Sequence, residues 1–166
     1  MEFAYDYHQL YVFDAATDVD VSGNRNPYLD ALDAANESGL TVGAASGIVD
    51  VLMPRQENFF SDIEVVKNES APAVSETADH VVEFDLTSSG RIRLEGSGGS
   101  GELEIDVPAG AYRARLSGFD FGAASRWSYG DPGHPGDNYR LELWPSAAPE
   151  PPAELRRWPG YAEQGV

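Results

Sequence analysis

The chain contains no cysteine in its 166 residues. This absence excludes a disulfide framework, thiolate zinc sites and cysteine nucleophiles. No apolar run approaches the ~20 residues that a helix needs to span a bilayer. The first residues, 1–6, also lack the basic and apolar regions of a secretory signal. We therefore expect a cytoplasmic protein with no membrane partner.

Basic side chains are scarce, and they are unevenly distributed. The whole chain carries 28 acids against 11 bases, only one of which is lysine, for a net charge of −17. Residues 1–85 hold 17 carboxylates and three bases, whereas residues 86–166 hold 11 acids and eight arginines. A strongly acidic half repels nucleic acid and attracts basic proteins or cations. An acidic, lysine-poor proteome explains the overall acidity equally well, but it explains the difference between the halves less readily.

Alternation of apolar and polar residues is the dominant pattern in the chain. With 42% hydrophobic and 11% aromatic residues, the composition is that of a folded domain. Turn residues separate short alternating segments, which are 3–13, 48–53, 59–65, 82–86, 91–94, 102–107, 111–117 and 139–143. The pattern predicts an all-β fold, an antiparallel β-sandwich of about eight strands.

Two of these segments, 102–107 and 111–117, are joined by Pro108-Ala109-Gly110, which predicts a hairpin. Acidic and basic residues alternate on the outward faces of neighbouring segments, which favours cross-strand ion pairs. Most arginines of the second half would then be neutralised locally, and few would remain for the acids of the first half.

One short helix is predicted over residues 27–38. Asn26 is a good N-cap, Pro27 suits the first helical position and Gly39 can end the helix. The expected apolar stripe is Leu29, Leu32 and Ala35, and the expected outward acids are Asp30, Asp33 and Glu37.

The sequence is expected to divide into two regions. Residues 1–145 are predicted to form a single sandwich domain, and 146–166 a proline-rich C-terminal tail. Trp158 and Tyr161 are the residues that would dock this tail on the sandwich.

Residues 18–24 begin like a calcium-binding loop. Asp18, Asp20, Ser22 and Asn24 provide oxygen ligands at alternate positions, as calcium loops do. The pattern then departs, because the twelfth position is Leu29 where a bidentate glutamate is needed. An acidic turn before the helix is the alternative, and apart from calcium no cofactor is expected.

No catalytic motif is evident in the sequence. The three histidines, His8, His80 and His134, form no metal-binding pair, and no serine lies in a G-x-S-x-G turn. We therefore expect a protein that is not an enzyme. Exposed aromatic residues could form a sugar-stacking platform, with ordinary packing as the alternative; they are Trp127, Tyr129, Trp144 and Trp158.

Two stretches of the sequence resemble parts of a known family. The first is Tyr7-His8-Gln9-Leu10-Tyr11-Val12-Phe13-Asp14, which resembles the Y-H-Q opening of competence-protein-J (ComJ-like) proteins. The second, residues 103–112, resembles their late strand, Pro-x-Gly turn and following tyrosine. Members of that family inhibit a DNA-entry nuclease, so the resemblance implies a small inhibitor or immunity protein.

Charge points to the same kind of protein. A nuclease site accepts polyanions, so an acidic surface can occupy it and associate rapidly. The partner would be a basic protein such as a nuclease or toxin. The contact residues predicted by charge alone are Asp14, Asp18, Asp20, Asp30, Asp33 and Glu37. The alternative function is a calcium- or carbohydrate-binding β-sandwich module.

Overall fold

A computed structural model describes residues 1–19, 26–55, 59–97, 101–127, 131 and 136–164 of the chain. Within these ranges the fold is largely β, with a few short helices. The strands are β1 Glu2–Tyr5, β2 Gln9–Asp14, β3 Val42–Ala45, β4 Ile48–Leu52, β5 Phe59–Lys67, β6 His80–Ser88, β7 Arg91–Gly96, β8 Leu103–Asp106, β9 Gly110–Phe119, β10 Asn138–Pro145 and β11 Ala153–Arg156. The helices are α1 Pro27–Ser38, α2 Phe121–Ala124 and α3 Gly160–Gln164. No helix among the described residues has the length and apolarity to cross a bilayer.

The strands form two sheets that share one apolar core. Sheet A has the order β1-β5-β10-β9-β6-β11, and sheet B has the order β3-β4-β2-β7-β8. Core side chains come from both sheets, including Phe84 and Leu141 from sheet A and Val12 and Leu94 from sheet B. The two-sheet architecture is as predicted, but the described residues contain eleven strands rather than eight.

Sheet A is mixed, which corrects the prediction of a purely antiparallel fold. β5 and β10 pair in parallel, from Asn138 opposite Asp62 to Leu143 opposite Lys67. Every other strand pair in the two sheets is antiparallel. Alternation along a strand shows which residues share a face, but parallel and antiparallel neighbours give the same alternation. The direction of the neighbour was therefore not readable from the sequence.

The first predicted strand, 3–13, is broken into two strands of different sheets. β1 pairs with β5 in sheet A, whereas β2 lies between β4 and β7 in sheet B. Tyr7 and His8 make the break, with φ angles of 52° and 62° in the left-handed region. The Tyr7 N–H donates to Asp6 Oδ1 at 2.8 Å, and His8 Nδ1 lies 2.8 Å from the Met53 carbonyl oxygen. One local bond and one bond to a distant residue thus hold a turn where the alternation had predicted a continuous strand.

The predicted hairpin 102–117 is wrong. β8 pairs with β7 in sheet B, whereas β9 pairs with β6 and β10 in sheet A. The Pro108–Gly110 link therefore crosses between the sheets. Val107 is buried in the common core, and its carbonyl accepts from Ser88 Oγ at 2.9 Å. Burial of Val107 turns the chain inward, so the tight-turn residues connect the two layers.

Residues 146–166 contribute β11 and α3. β11 pairs with β6 at Val81–Glu83, and Tyr161 is fully buried in the core with Trp158 packed against it. The Tyr161 hydroxyl donates to the Leu52 carbonyl at 2.6 Å, which joins this segment to sheet B. These are the two aromatic residues expected to dock the C-terminal segment.

Helix α1 has the predicted bounds and caps. The Asn26 side chain accepts from the Tyr28 N–H, and Gly39 ends the helix with a φ of 68°. Of the predicted stripe only Ala35 is buried, together with Ala31, whereas Leu32 is half-buried and Leu29 is 53% exposed. Small residues face sheet B because the helix backbone lies directly on Gly43 of β3. A Cβ atom at Gly43 would lie only 2.3 Å from the Ala31 carbonyl oxygen and the Ala35 nitrogen.

This contact leads to a stability prediction. We expect Gly43→Ala to lower the free energy of unfolding by ~1–3 kcal/mol, since the helix must move away from β3 to admit the methyl group. Gly122→Ala is the matched control, because a Cβ there meets nothing within 4 Å. Urea unfolding of the two variants measures the difference. Equal stability of both variants would contradict the close helix–strand contact.

Candidate functional site

The candidate site is an acidic surface built on α1 and the end of β2. Asp30, Asp33 and Glu37 follow the helix at spacings of three and four residues, which places them on one face over ~10 Å. Asp33 and Glu37 are exposed. Among the described residues, no arginine or lysine pairs with either of them. Asp33 and Glu37 therefore face outward as predicted, whereas Asp30 is half-buried.

Asp30 connects the helix to the turn between β3 and β4. Its Oδ2 accepts from Ser46 Oγ at 3.0 Å. Ser46 and Gly47 form the tip of this turn, with φ angles of 53° and 80°. The acidic helix face is thereby held against the tip of a hairpin of sheet B.

Asp14 lies at the far end of β2 and faces the same hairpin. Its Oδ1 accepts from the Ala16 N–H at 3.1 Å and from Ser89 Oγ at 2.8 Å, and no basic side chain of the described part pairs with it. Asp14 and Ser46 line one groove of about 550 Å³, which also contains Asp85 of β6. The structure therefore brings Asp14 and Asp30 to the same hairpin tip.

The remaining predicted residues are only partly described. Asp18 is exposed after β2, whereas Asp20, Ser22 and Asn24 lie outside the described residues. The calcium loop therefore stays a prediction. Within the described ranges, no group of three or more His, Asp or Glu residues is arranged to hold a metal ion.

The arginines of the second half are occupied locally. Arg91 binds Glu104 at 2.6 Å and Arg93 binds Glu104 at 2.8 Å, so β7 pairs with β8 as expected for cross-strand ion pairs. On sheet A, Arg115 binds Glu83 at 2.7 Å and Arg113 binds Asp85 at 3.0 Å. These bonds leave few cations in the described part to offset the acids on α1 and β2.

The described pair that most resembles a nucleophile and its base is Thr41 and His80. Thr41 Oγ1 lies 2.8 Å from His80 Nε2 and donates to Glu154 Oε2 at 2.7 Å. The Trp158 N–H donates to His80 Nδ1 at 3.3 Å, so the ring proton is on Nε2 and is donated to Thr41. Burial lowers the pKa of His80 from 6.5 to about 4, which keeps it neutral. A ring that donates to the hydroxyl cannot remove its proton, so this group joins the link between α1 and β3 to β6 and to the C-terminal segment structurally.

The aromatic residues considered for sugar binding serve mainly in packing. Trp144 is 8% exposed and lies under the Arg115 guanidinium at 5.2 Å. Trp158 packs edge-on against Phe121 and Tyr161, with ring centroids 5.6 and 5.4 Å apart. Trp127 is partly exposed, and Tyr129 and His134 lie outside the described residues. The packing interpretation therefore holds for Trp144 and Trp158.

Sequence reasoning missed a buried carboxyl beneath the site. Asp50 of β4 is fully buried on the face of sheet B that α1 covers, opposite Tyr11 of β2 and Gly43 of β3. Neither of its oxygens has a hydrogen-bond partner among the described residues. Burial raises the pKa of Asp50 from 3.8 to about 8, so the carboxyl is largely protonated at neutral pH. The signal in the sequence was a single acid inside the apolar segment Ile48–Met53.

Comparison with solved structures places this geometry in a known fold. The chain is similar to the crystal structure of ComJ, inhibitor of the DNA degrading activity of NucA, from Bacillus subtilis. The TM-score is 0.59 at 20% identity, over 88% of this chain and 94% of that chain. The chain shares the ComJ fold. It is also similar to a structure named crocagin biosynthetic gene J, with a TM-score of 0.58 at 18% identity, over 88% and 95% of the two chains. No family model and no curated protein sequence matches the chain.

The structure shows where the two stretches that resemble ComJ-like proteins lie in the fold. Tyr7–Asp14 forms the left-handed turn and β2, and residues 103–112 form β8, the crossing between the sheets and the start of β9. Both stretches belong to the framework of the fold. Apart from Asp14, they contain none of the acids predicted to contact a partner.

Asp50 leads to a prediction for the pH dependence of stability. The pKa of Asp50 is raised in the folded state. Between pH 3.8 and about 8, the folded protein therefore keeps a proton on Asp50 that the unfolded chain has lost. Stability from this group is therefore present at low pH and is lost as the pH rises to about 8. Relative to wild type, we expect Asp50→Asn to gain ~1.4 kcal/mol per pH unit in this window.

Urea unfolding of both proteins between pH 5 and 9 measures this difference. The gain should level off above the folded pKa of about 8. Asp62→Asn is the control, since Asp62 is exposed on β5 and far from α1. A difference between Asp50→Asn and wild type that stays constant with pH would contradict a protonated Asp50.

Proposed function

We propose that this chain is a non-enzymatic inhibitor or immunity protein that blocks a basic protein, such as a nuclease or a related toxin. The contact surface is the acidic face of α1 together with Asp14 at the end of β2. The observation that carries the proposal is the exposed Asp33 and Glu37 pair, which has no basic partner in the described part of the chain.

The arrangement of charge on α1 supports this role. Like charges three or four residues apart destabilise a helix by ~0.2–0.5 kcal/mol per pair. Glu37 also lies in the last turn, where a negative charge opposes the helix dipole, and that turn has no basic residue. These acids therefore weaken the helix that carries them. The role we propose for these acids is to attract a cationic partner.

The fold supports the same role. ComJ, which has this fold, is described as an inhibitor of the DNA degrading activity of NucA. A nuclease that binds DNA presents a cationic surface to a chain of phosphates. An acidic helix can compete for such a surface, and long-range attraction accelerates the encounter. The partner we propose is therefore a DNA-degrading or otherwise basic protein.

Charge reversal tests this proposal. The wild-type chain should inhibit at least one purified basic nuclease, NucA among those assayed, in a plasmid-degradation assay. We expect Asp33→Lys with Glu37→Lys to raise the inhibition constant at least ~10-fold at low salt and less at high salt, because salt screens exposed charges. Asp30 is left unchanged because it holds Ser46.

The control is a second double variant with the same change in net charge. Asp62→Lys with Glu69→Lys replaces two exposed acids outside α1. If both double variants lose inhibition equally, net charge rather than the α1 face is responsible. Failure of the wild type to inhibit any of the basic nucleases would contradict the proposed function itself.

A further inference from the structure

An opening between the two sheets lies beside the turn from β3 to β4. It is the groove of about 550 Å³ that contains Asp14 and Ser46. β3 is the edge of sheet B, and it faces β6 of sheet A. β11 pairs with β6 only at Val81–Glu83, so no strand of the described part continues sheet A beside Leu86. The sandwich is therefore open at this corner.

Ala44 shows that the opening reaches the inner face of sheet B. It lies two residues after Val42 and opposite Val49, and both valines are buried in the common core. Because side chains alternate along a strand, Ala44 belongs to the same inward face. It is nevertheless exposed, since the groove occupies the space beside it. Leu86 of β6 lines the other side, so the inner walls of the groove are apolar.

Asp14 places a carboxylate on this same inward face. It follows the buried Val12 by two residues and is paired with Ile92 of the core. Its Oδ1 accepts from the Ala16 N–H and from Ser89 Oγ, whereas its Oδ2 has no hydrogen-bond partner among the described residues. No arginine or lysine of the described part lines the groove. One charged oxygen of Asp14 is therefore left for a ligand.

The second carboxylate of the groove is already occupied. Asp85 Oδ1 accepts from Arg113 at 3.0 Å, and its Oδ2 accepts from the Glu150 N–H at 2.7 Å. Thr17 and Thr87 also line the groove, and neither hydroxyl bonds to a described residue. The acceptors that remain are thus one carboxylate oxygen and two hydroxyls.

These walls and acceptors suit a long cationic side chain. An arginine has an apolar stem, which can lie along Ala44 and Leu86, and five N–H donors at its tip. A guanidinium beside Asp14 would form a charge-assisted hydrogen bond, and its other donors would have the threonine hydroxyls as acceptors. A neutral ligand would instead cover the Asp14 charge without pairing it, which costs free energy.

The groove adjoins the acidic face of α1. Ser46, which lines the groove, donates to Asp30 Oδ2 at 3.0 Å, and Asp33 lies on the next turn of the helix. A basic surface that is attracted to α1 would therefore also lie over the groove. The acids of the helix and the groove would then contact the same partner.

We propose that this groove is a binding site for an arginine side chain of the basic partner. The stem of the arginine would lie between β3 and β6, and its guanidinium would bind Asp14 Oδ2. Arginines that fill a pocket in an interface are often among the residues that contribute most to binding. That the arginine belongs to a partner protein rests on the proposed function, whereas the site itself can be tested without that partner.

The test uses the peptide acetyl-Gly-Arg-Gly-amide as the probe. Its control has citrulline in place of arginine, which keeps the size of the side chain but has no charge. NMR titration of the full chain measures the binding of both peptides. We expect the arginine peptide to shift the backbone amide resonances of Ala44 and Thr87 until they saturate, and the citrulline peptide to bind at least ~10-fold more weakly.

Two variants of the full chain locate the contact. Asp14→Asn removes the charge while keeping an oxygen acceptor for Ser89, and Ala44→Leu fills the groove from an exposed position. We expect each to weaken binding of the arginine peptide several-fold. The controls, Asp62→Asn and Ala73→Leu, make the same changes at exposed positions outside the groove and should leave binding unchanged.

Three results would overturn the proposal. They are equal binding of the arginine and citrulline peptides, resonance shifts confined to α1, and equal losses of binding in the groove variants and their controls. The comparison of the two peptides uses the wild-type chain, so it decides the question even if Ala44→Leu fails to fold.

Peptide binding and nuclease inhibition together separate the two proposals. If the arginine peptide binds beside Asp14 but the chain inhibits no basic nuclease, the inhibitor proposal fails and the arginine site stands. If the chain inhibits a nuclease but the arginine peptide does not bind in the groove, the site proposal fails and the inhibitor proposal stands.

Discussion

The close contact between α1 and Gly43 is the constraint on which the site depends. The helix backbone at Ala31 and Ala35 lies so near β3 that no side chain fits between them. This contact turns the acidic face of α1 toward solvent and covers one face of sheet B. A glycine on a strand and two alanines on a helix thus set the position of the acids on α1.

Charge on the strands is compensated locally. The arginines of β7 and β9 are bound to acids of neighbouring strands. The field of α1 and Asp14 is therefore not offset by those side chains. Exposed acids act over about a Debye length and chiefly affect the rate of encounter.

The core accommodates polar groups in two ways. Asp50 and His80 are buried in their neutral forms, because burial raises the pKa of the first and lowers that of the second. Asp137 is instead buried beside a cation: it binds Arg55 and accepts from the hydroxyls of Tyr5 and Tyr139 at 2.8 Å. The Asp137 cluster joins β1 and β10 in sheet A, whereas Asp50 lies under the helix of the candidate site.

Interactions between residues close together in the sequence made much of this fold predictable. The limits of α1 were predictable because its terminal residues, Asn26, Pro27 and Gly39, act on their immediate neighbours. The alternating strand segments and the outward acids of the helix were predictable as well. Tertiary structure alone decided which strands are neighbours and in which direction they run. The φ angles of Tyr7 and His8 separate β1 from β2, and burial of Val107 carries the chain between the sheets. The groove beside Ala44 and the buried Asp50 likewise exist only after distant strands have paired. Alternation records the two faces of a strand, whereas its partners are chosen by packing across the whole core.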